Sequence, residues 1–488
     1  MRAVKAGIAA LVVLVAGAGY ATADAFDVVP GVLTTSGPAT VVGEPRPVPS
    51  APPRSSAPPV LPALSDQAPV PLPHALATTL APLVASPALG PRVSASVVDA
   101  ATGDVLLDTA GSIARTPAST AKLLTAAAVL TTVGPETTLP TRVVQGAAPD
   151  EIVLVGAGDM LLGTGESDPT VIVGRAGLAT LAQQTAARLA QAGTTRVALR
   201  VDDTAFAGAT VAPAWDRADV THGYTGRVAA IGLARDRARP TKPGPVDPAL
   251  SAGRAFASAL TAAGVSVAGP PVRTSAPDQA AVLAEVRSAP ISDVVAVTLR
   301  DSDNALAEVL GRLAARAMGR PPTFEDSAVA VVDQVERLGI DTGATHLADV
   351  SGLGDGSVIP ARVLTDLLLL ATSPDHPQLR SLLTDLPVAG FSGTLGDRFT
   401  KGSARAAAGL LRAKTGTLTG VSTLAGYVVD DDGRLLLFAV MADQVPPTGT
   451  LAARQAVDRI GTALAGCGCA ERRLRAAPAR RCRTLRVG

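Results

Sequence analysis

Ser119-Thr120-Ala121-Lys122-Leu123-Leu124-Thr125-Ala126-Ala127-Ala128-Val129-Leu130 is the stretch on which the reading of this chain turns. From Lys122 onward the run is apolar and built of strong helix formers, so it reads as a helix. Ser119 then falls at the helix N-terminus, with Lys122 one turn further along the same face. A helix N-terminus favours anionic oxygen, and a backbone N–H there can point at a forming oxyanion. An amine within one turn of a hydroxyl is the arrangement of an activated nucleophile. Taken alone, the spacing is equally that of a polar start to an Ala/Leu helix. Lysine usage argues against the bland reading. Only five of the 43 Lys and Arg residues are lysine: Lys5, Lys122, Lys242, Lys401 and Lys414. A buried lysine can lose its proton and act as a base, whereas a guanidinium cannot.

Two further tripeptides extend the pattern. Asn304 is the sole asparagine and closes Ser302-Asp303-Asn304, just before the apolar-periodic helix at 305–317. Lys414-Thr415-Gly416 lies in Leu411-Arg412-Ala413-Lys414-Thr415-Gly416-Thr417, which opens a strand region. S-x-x-K, S-x-N and K-T-G arise together in this order by chance on the order of once in ten thousand chains.

The surrounding elements are those of a mixed α+β domain. Residues 92–99 alternate like a strand, 101–104 turn, and 105–108 return as a hairpin arm. Residues 422–429, the turn Asp431-Asp432-Gly433 and residues 435–441 form a second hairpin, and 452–465 a closing helix. One sheet built from both ends of the domain follows. Residues 141–288 interrupt these elements with a strand near 153–155, a helix near 177–192, a strand at 196–201 and a helix near 249–263, an inserted accessory α/β domain. Gly156-Ala157-Gly158 lacks the third glycine and the context of a dinucleotide site and reads as a tight turn.

At 488 residues the chain is too long for a single core. A formal net charge of +1 and 2% aromatic residues leave no basic field and no stacking platform, so nucleic acid is not expected as a partner. The four histidines are scattered without ligand spacing, and neither a metal nor a cofactor is expected. Arg2 and Lys5, an apolar run over 6–18 and small residues near 21–25 make 1–25 a secretory signal or membrane anchor. Residues 26–75 are a proline-rich linker, a spacer or a leader without a core. The catalytic domain is expected over 76–140 plus 289–466. Residues 467–488 form a basic tail with three cysteines, Cys467 included; a Cys467–Cys469 bridge and a link to Cys482 both stay open. The leader and tail are candidates for membrane or wall association, and the protein is expected outside the cytoplasm.

S-x-x-K, then S-D-N, then K-T-G is the set shared by serine β-lactamases and penicillin-binding proteins. With the long gap between Ser119 and Ser302, and with Asp349-Val350-Ser351-Gly352-Leu353 and Gly390-Phe391-Ser392-Gly393-Thr394-Leu395, the chain resembles the D-alanyl-D-alanine carboxypeptidase/endopeptidase family of low-molecular-mass class C penicillin-binding proteins. The resemblance implies a β-lactamase/penicillin-binding-protein-like transpeptidase fold carrying an insertion, and peptidoglycan stem peptides ending in D-Ala-D-Ala as substrate. It implies β-lactams as covalent inhibitors. Ser119 would be nucleophile, Lys122 general base and Ser302 proton relay. Asn304 would hold the substrate amide, and Lys414, Thr415, Gly416 and Thr417 would receive the carboxylate. A β-lactamase using the same motifs, and a wall-binding scaffold that retains them without catalysis, are the alternatives. An esterase is disfavoured, since no G-x-S-x-G elbow is present.

Overall fold

The computed structural model describes residues 67–446 and 448–467. The expected leader, most of the proline-rich linker, Cys469, Cys482 and the basic tail lie outside the described residues. Among the described residues no helix is long and apolar enough to cross a membrane.

The hairpin arms Val93–Asp99 and Val105–Thr109 pair antiparallel. The other edge of Val93–Asp99 pairs with Leu435–Ala442, Val93 opposite Ala442 and Asp99 opposite Leu436. Val421–Val429 and then Leu411–Leu418 complete a five-stranded antiparallel sheet. The expected α+β sheet is therefore closed by segments more than three hundred residues apart. On one face the helices Pro73–Val84 and Thr450–Ala465 bury Leu76, Leu80, Val457 and Ile460 against Val97, Leu424 and Phe438. Against the other face lies Ala361–Thr372, and Lys122–Thr132, Ile291–Asp301, Asn304–Ala317 and Phe324–Arg337 pack into the same core beyond it. Residues 122–130 are all buried, which accounts for a helix apolar on every side.

Residues 138–290 build a second, six-stranded sheet. Its strands are parallel around Arg196–Asp202, which neighbours Glu151–Val155, Val272–Arg273 and Ser266–Val267. They are antiparallel around Thr138–Gln145, which lies between Glu151–Val155 and Val282–Pro290. The helices Leu178–Gln191 and Pro248–Ala262 supply Leu181, Leu189, Phe256 and Leu260 to a separate core under this sheet. Positions 141 and 288, expected as boundaries, fall inside two strands that pair with each other. The chain thus leaves the first layer and re-enters it side by side, and Val282–Pro290 runs straight into Ile291–Asp301.

Inside the first layer, Arg434 and Asp99 form an ion pair closed to water: Nε to Oδ2 is 2.6 Å and Nη2 to Oδ1 is 2.8 Å. The Asp99 carboxylate also accepts the N–H groups of Ala101 and Thr102, fixing the hairpin turn. Solvent-exposed pairs contribute about 0–1 kcal/mol. Removing one partner of a buried pair instead strands a charge, so Arg434→Ala is expected to cost about 3–5 kcal/mol of stability. The fall in the urea midpoint measures this; a loss below about 1 kcal/mol would show that the stranded carboxylate is not the governing cost.

Candidate active site

Ala118–Ala121 form one tight 3-10 turn that continues directly into Lys122–Thr132. The turn is held by very close backbone approaches. Thr423 Oγ1 donates to the Pro117 carbonyl at 2.8 Å. A Cβ on Gly416 would stand 2.1 Å from Thr423 Oγ1 and 2.7 Å from the Pro117 oxygen, and one on Gly352 would stand 2.0 Å from the Ala118 oxygen. Glycine therefore ends Lys414-Thr415-Gly416 for a steric reason: strand and loop close on the serine turn to backbone distance. Ala118 itself has φ +47°, a left-handed conformation costly for a residue with a side chain.

Lys122 Nζ lies 2.8 Å from Ser119 Oγ, 2.6 Å from Asn304 Oδ1 and 2.7 Å from the Ser351 carbonyl oxygen. The lysine is buried while Ser119 is half-buried, so the hydroxyl meets the cleft and the amine does not. Burial pulls the Lys122 pKa down to about 8, against the opposing pull of Asp349, Glu308 and Asp303.

Helix Ile291–Asp301 ends at Ser302, whose φ is +57°. That reversal begins the next helix, Asn304–Ala317, with Asp303 as its cap accepting the Leu306 N–H at 2.9 Å. Ser302 Oγ accepts a 2.9 Å hydrogen bond from Lys414 Nζ, which also donates to the Thr415 carbonyl. Burial, and next Lys122 and Arg398, push the Lys414 ammonium well below its usual range. Asn304 is held at both ends of its amide: Oδ1 accepts from Lys122, and Nδ2 donates to the Tyr224 carbonyl at 2.9 Å. The Ala413 N–H leaves the outer edge of its strand to reach Pro387. By the two-residue repeat, the N–H groups of Thr415 and Thr417 leave the same edge. Thr415 Oγ1 donates to Thr394 Oγ1 at 2.8 Å, and Thr417 is exposed. Ser119, Lys122, Asn304, Ser302 and Lys414 are thus brought together, with Gly416 against the serine turn.

Several contributors were not assigned from sequence. The Asp349 carboxylate accepts from the N–H groups of Ser351, Gly352 and Gly354 and from Trp215 Nε1. Glu308 Oε1 accepts from Val350 and Ser351. Together they aim the Ser351 carbonyl at Lys122. Burial, and next the Asp349 carboxylate, push the Glu308 carboxyl well above the usual range. The run 349–354 is visible in the sequence as a glycine-rich loop, but no residue type announces that a backbone carbonyl serves the site. Beside Ser302 and Asn304 opens a cavity of about 490 Å³, also lined by Tyr224, Arg227, Arg237 and Arg239.

The carboxypeptidase DacB of Mycolicibacterium smegmatis is 38% identical over 428 residues, covering 86% of this chain and 90% of that protein. The D-alanyl-D-alanine carboxypeptidase of Actinomadura sp. is 29% identical over 440 residues, covering 72% of this chain and 78% of its own length. Among solved structures, penicillin binding protein 4 from Haemophilus influenzae superposes with a TM-score of 0.63 at 18% identity, over 80% of this chain and 99% of that one. The same protein complexed with a novel β-lactam gives a TM-score of 0.58 at 19% identity, over 78% and 98%. That likeness shows a shared fold. The D-Ala-D-Ala carboxypeptidase 3 (S13) family matches residues 76–243 and 245–464, and the chain belongs to that family.

Proposed function

We propose that this chain is a serine D-Ala-D-Ala carboxypeptidase that acts on peptidoglycan stem peptides through an acyl-enzyme on Ser119. The observation that carries the assignment is the placement of the Lys122 amine among Ser119 Oγ, Asn304 Oδ1 and the Ser351 carbonyl. A neutral amine has two hydrogens and one lone pair. Asn304 and Ser351 offer only acceptors in those directions and take the two hydrogens, which leaves the lone pair facing the Ser119 hydroxyl. Ser119 Oγ then attacks the carbonyl carbon of the penultimate D-Ala as its proton passes to Lys122. Backbone N–H groups of Ser119 and Thr417 would hold the oxyanion. Ser302, bonded to Lys414, would relay the proton to the leaving D-Ala nitrogen. The second hydrogen of Asn304 Nδ2 would meet the substrate amide. Lys414, Thr415 and Thr417 would face the terminal carboxylate, which would restore the ammonium that burial disfavours. Water releases the acyl group, and the free acid and D-Ala leave.

β-Lactams present an acyl group to the same serine and would acylate it. Cleavage of D-amino-acid cross-links is the same chemistry on a longer substrate, and cross-linked dimers as substrate would reveal it. The sheet of residues 138–290 is read as the accessory domain flanking the cleft. The leader-like N-terminus and a wall substrate support an extracytoplasmic location, with the basic tail as a candidate wall contact.

Intact mass after incubation with penicillin tests the assignment. One long-lived adduct on Ser119 is expected. Rapid drug turnover would identify a β-lactamase, and a folded protein without any adduct would identify a scaffold. Ser119→Ala should abolish labelling and leave the thermal unfolding curve nearly unchanged; an adduct surviving in this variant would refute the nucleophile. Lys122→Arg keeps the charge yet cannot give up a proton, so acylation should slow by about a hundredfold or more. The base must be the free amine, so the acylation rate should rise with pH through about 8 and level off above it. A flat profile between about pH 6 and 9.5 would remove Lys122 as base.

A further inference from the structure

We infer that Arg237, contributed by the segment inserted between the catalytic motifs, is a positioning residue for acylation: it fixes the backbone on both sides of Ser302. The inference rests on the acyl-enzyme reading above. Arg237 Nε donates to Asp303 Oδ2 at 2.9 Å, and Nη2 lies 2.8 Å from the same oxygen and 3.3 Å from Asp301 Oδ2. One guanidinium therefore grips the residue before Ser302 and the residue after it. Between them Ser302 holds φ +57°, a conformation that persists in a residue with a side chain only when its surroundings over-determine it. Side-chain exposures of 17% for Arg237 and 13% for Asp303 keep the pair out of the screened regime of surface ion pairs.

A second contact comes from the same segment. The Tyr224 carbonyl takes Asn304 Nδ2 and so dictates that Oδ1 faces Lys122. Residues 222–242 are laced together: Thr241 N–H donates to the His222 carbonyl, and Arg239 and Lys242 exchange backbone hydrogen bonds. Asp236, next to Arg237, accepts from Ser251 Oγ at 2.6 Å, which ties the segment to helix Pro248–Ala262 and the second sheet. A continuous path thus runs from that sheet, through Asp236 and Arg237, to the loop that presents Ser302 and Asn304. Both carboxylates engage the Nε and Nη2 edge of the Arg237 guanidinium, so that edge holds the loop.

The test is stopped-flow acylation by a fluorescent penicillin from about pH 6 to 10, resolving the acylation rate constant from the binding constant, for wild type, Arg237→Gln and Arg237→Lys. Arg237→Gln is expected to slow acylation about tenfold or more while the binding constant stays within about twofold. Its pH profile should also move to higher pH. Lys122 is faced by Asp349, Glu308, Asp303 and the Lys414 amine; without Arg237 the Asp303 charge is uncompensated and favours the Lys122 ammonium. Arg237→Lys keeps the charge beside Asp303 but not the two-pronged grip, so its pH profile should return toward that of wild type while the rate recovers only in part. A wild-type rate and profile in Arg237→Gln, or a loss confined to the binding constant, would overturn the inference. If Arg237→Gln does not fold, Asp301→Asn decides: it loosens the half-exposed side of the grip and should slow acylation a few-fold, and an unchanged rate overturns the proposal. A wild-type protein that is not acylated at all would instead sink the acyl-enzyme reading.

Discussion

Burying an amine without losing control of its proton is the constraint on which the site depends. Lys122 lies among core helices, and water is not available to solvate it. Its three contacts come from three distant parts of the chain: its own helix turn, the start of helix Asn304–Ala317 and the loop at 349–354. Each partner is itself fixed by something else. Asn304 is oriented by Tyr224, Ser351 by Asp349 and Glu308, and Ser119 by the backbone clamp of Gly352 and Gly416. A loose partner would let the amine turn toward another acceptor, and the lone pair would no longer face the serine. On the proposed mechanism, the packing around Lys122 is therefore part of the chemistry.

The parts legible in the sequence were those that rest on local rules. The hairpins flanking Asp431-Asp432-Gly433 and 101–104 follow from alternation and turn residues, and the helix at Ser119 follows from its composition. Lys122, Asn304 and Lys414 stood out because their residue types are rare in this chain. The partners that stayed hidden act through backbone or through long-range pairing. The Ser351 carbonyl and the Tyr224 carbonyl carry no side-chain signature. Arg237 is one arginine among many, and nothing in its neighbourhood in sequence points to Asp301 and Asp303 more than sixty residues on. Helices Phe324–Arg337 and Ala361–Thr372 are amphipathic but carry no catalytic motif, and amphipathicity alone does not say which face of which sheet a helix covers.

The expected limits of the insertion cut through a pair of strands for a related reason. Its first and last strands, Thr138–Gln145 and Val282–Pro290, pair with each other across the expected limits at 141 and 288. Chain entry and exit are thereby fixed side by side, which lets a large insertion sit in the fold without spreading the catalytic elements apart. The same junction delivers Ile291–Asp301 in a set direction, and the end of that helix is Ser302. The second sheet therefore influences the site twice, through its covalent exit and through the Arg237 contact.

The scarcity of lysine in this chain acquires a physical meaning from these contacts. Three oxygens spaced around a single nitrogen suit a tetrahedral amine, which can rotate its hydrogens to meet them and leave one direction for a lone pair. A planar guanidinium in the same place would need a different set of acceptors and would retain its proton at any pH at which the protein is folded. Lys414 meets the same demand beside Ser302 and the Thr415 carbonyl. Elsewhere the chain uses arginine where permanent charge and a two-pronged grip are wanted, as at Asp99 and at Asp301 with Asp303. Chemistry thus divides the two cations. Arginine braces at those places, while Lys122 and Lys414 are buried where the proposed acyl-enzyme mechanism would have a proton move or a charge depend on the substrate.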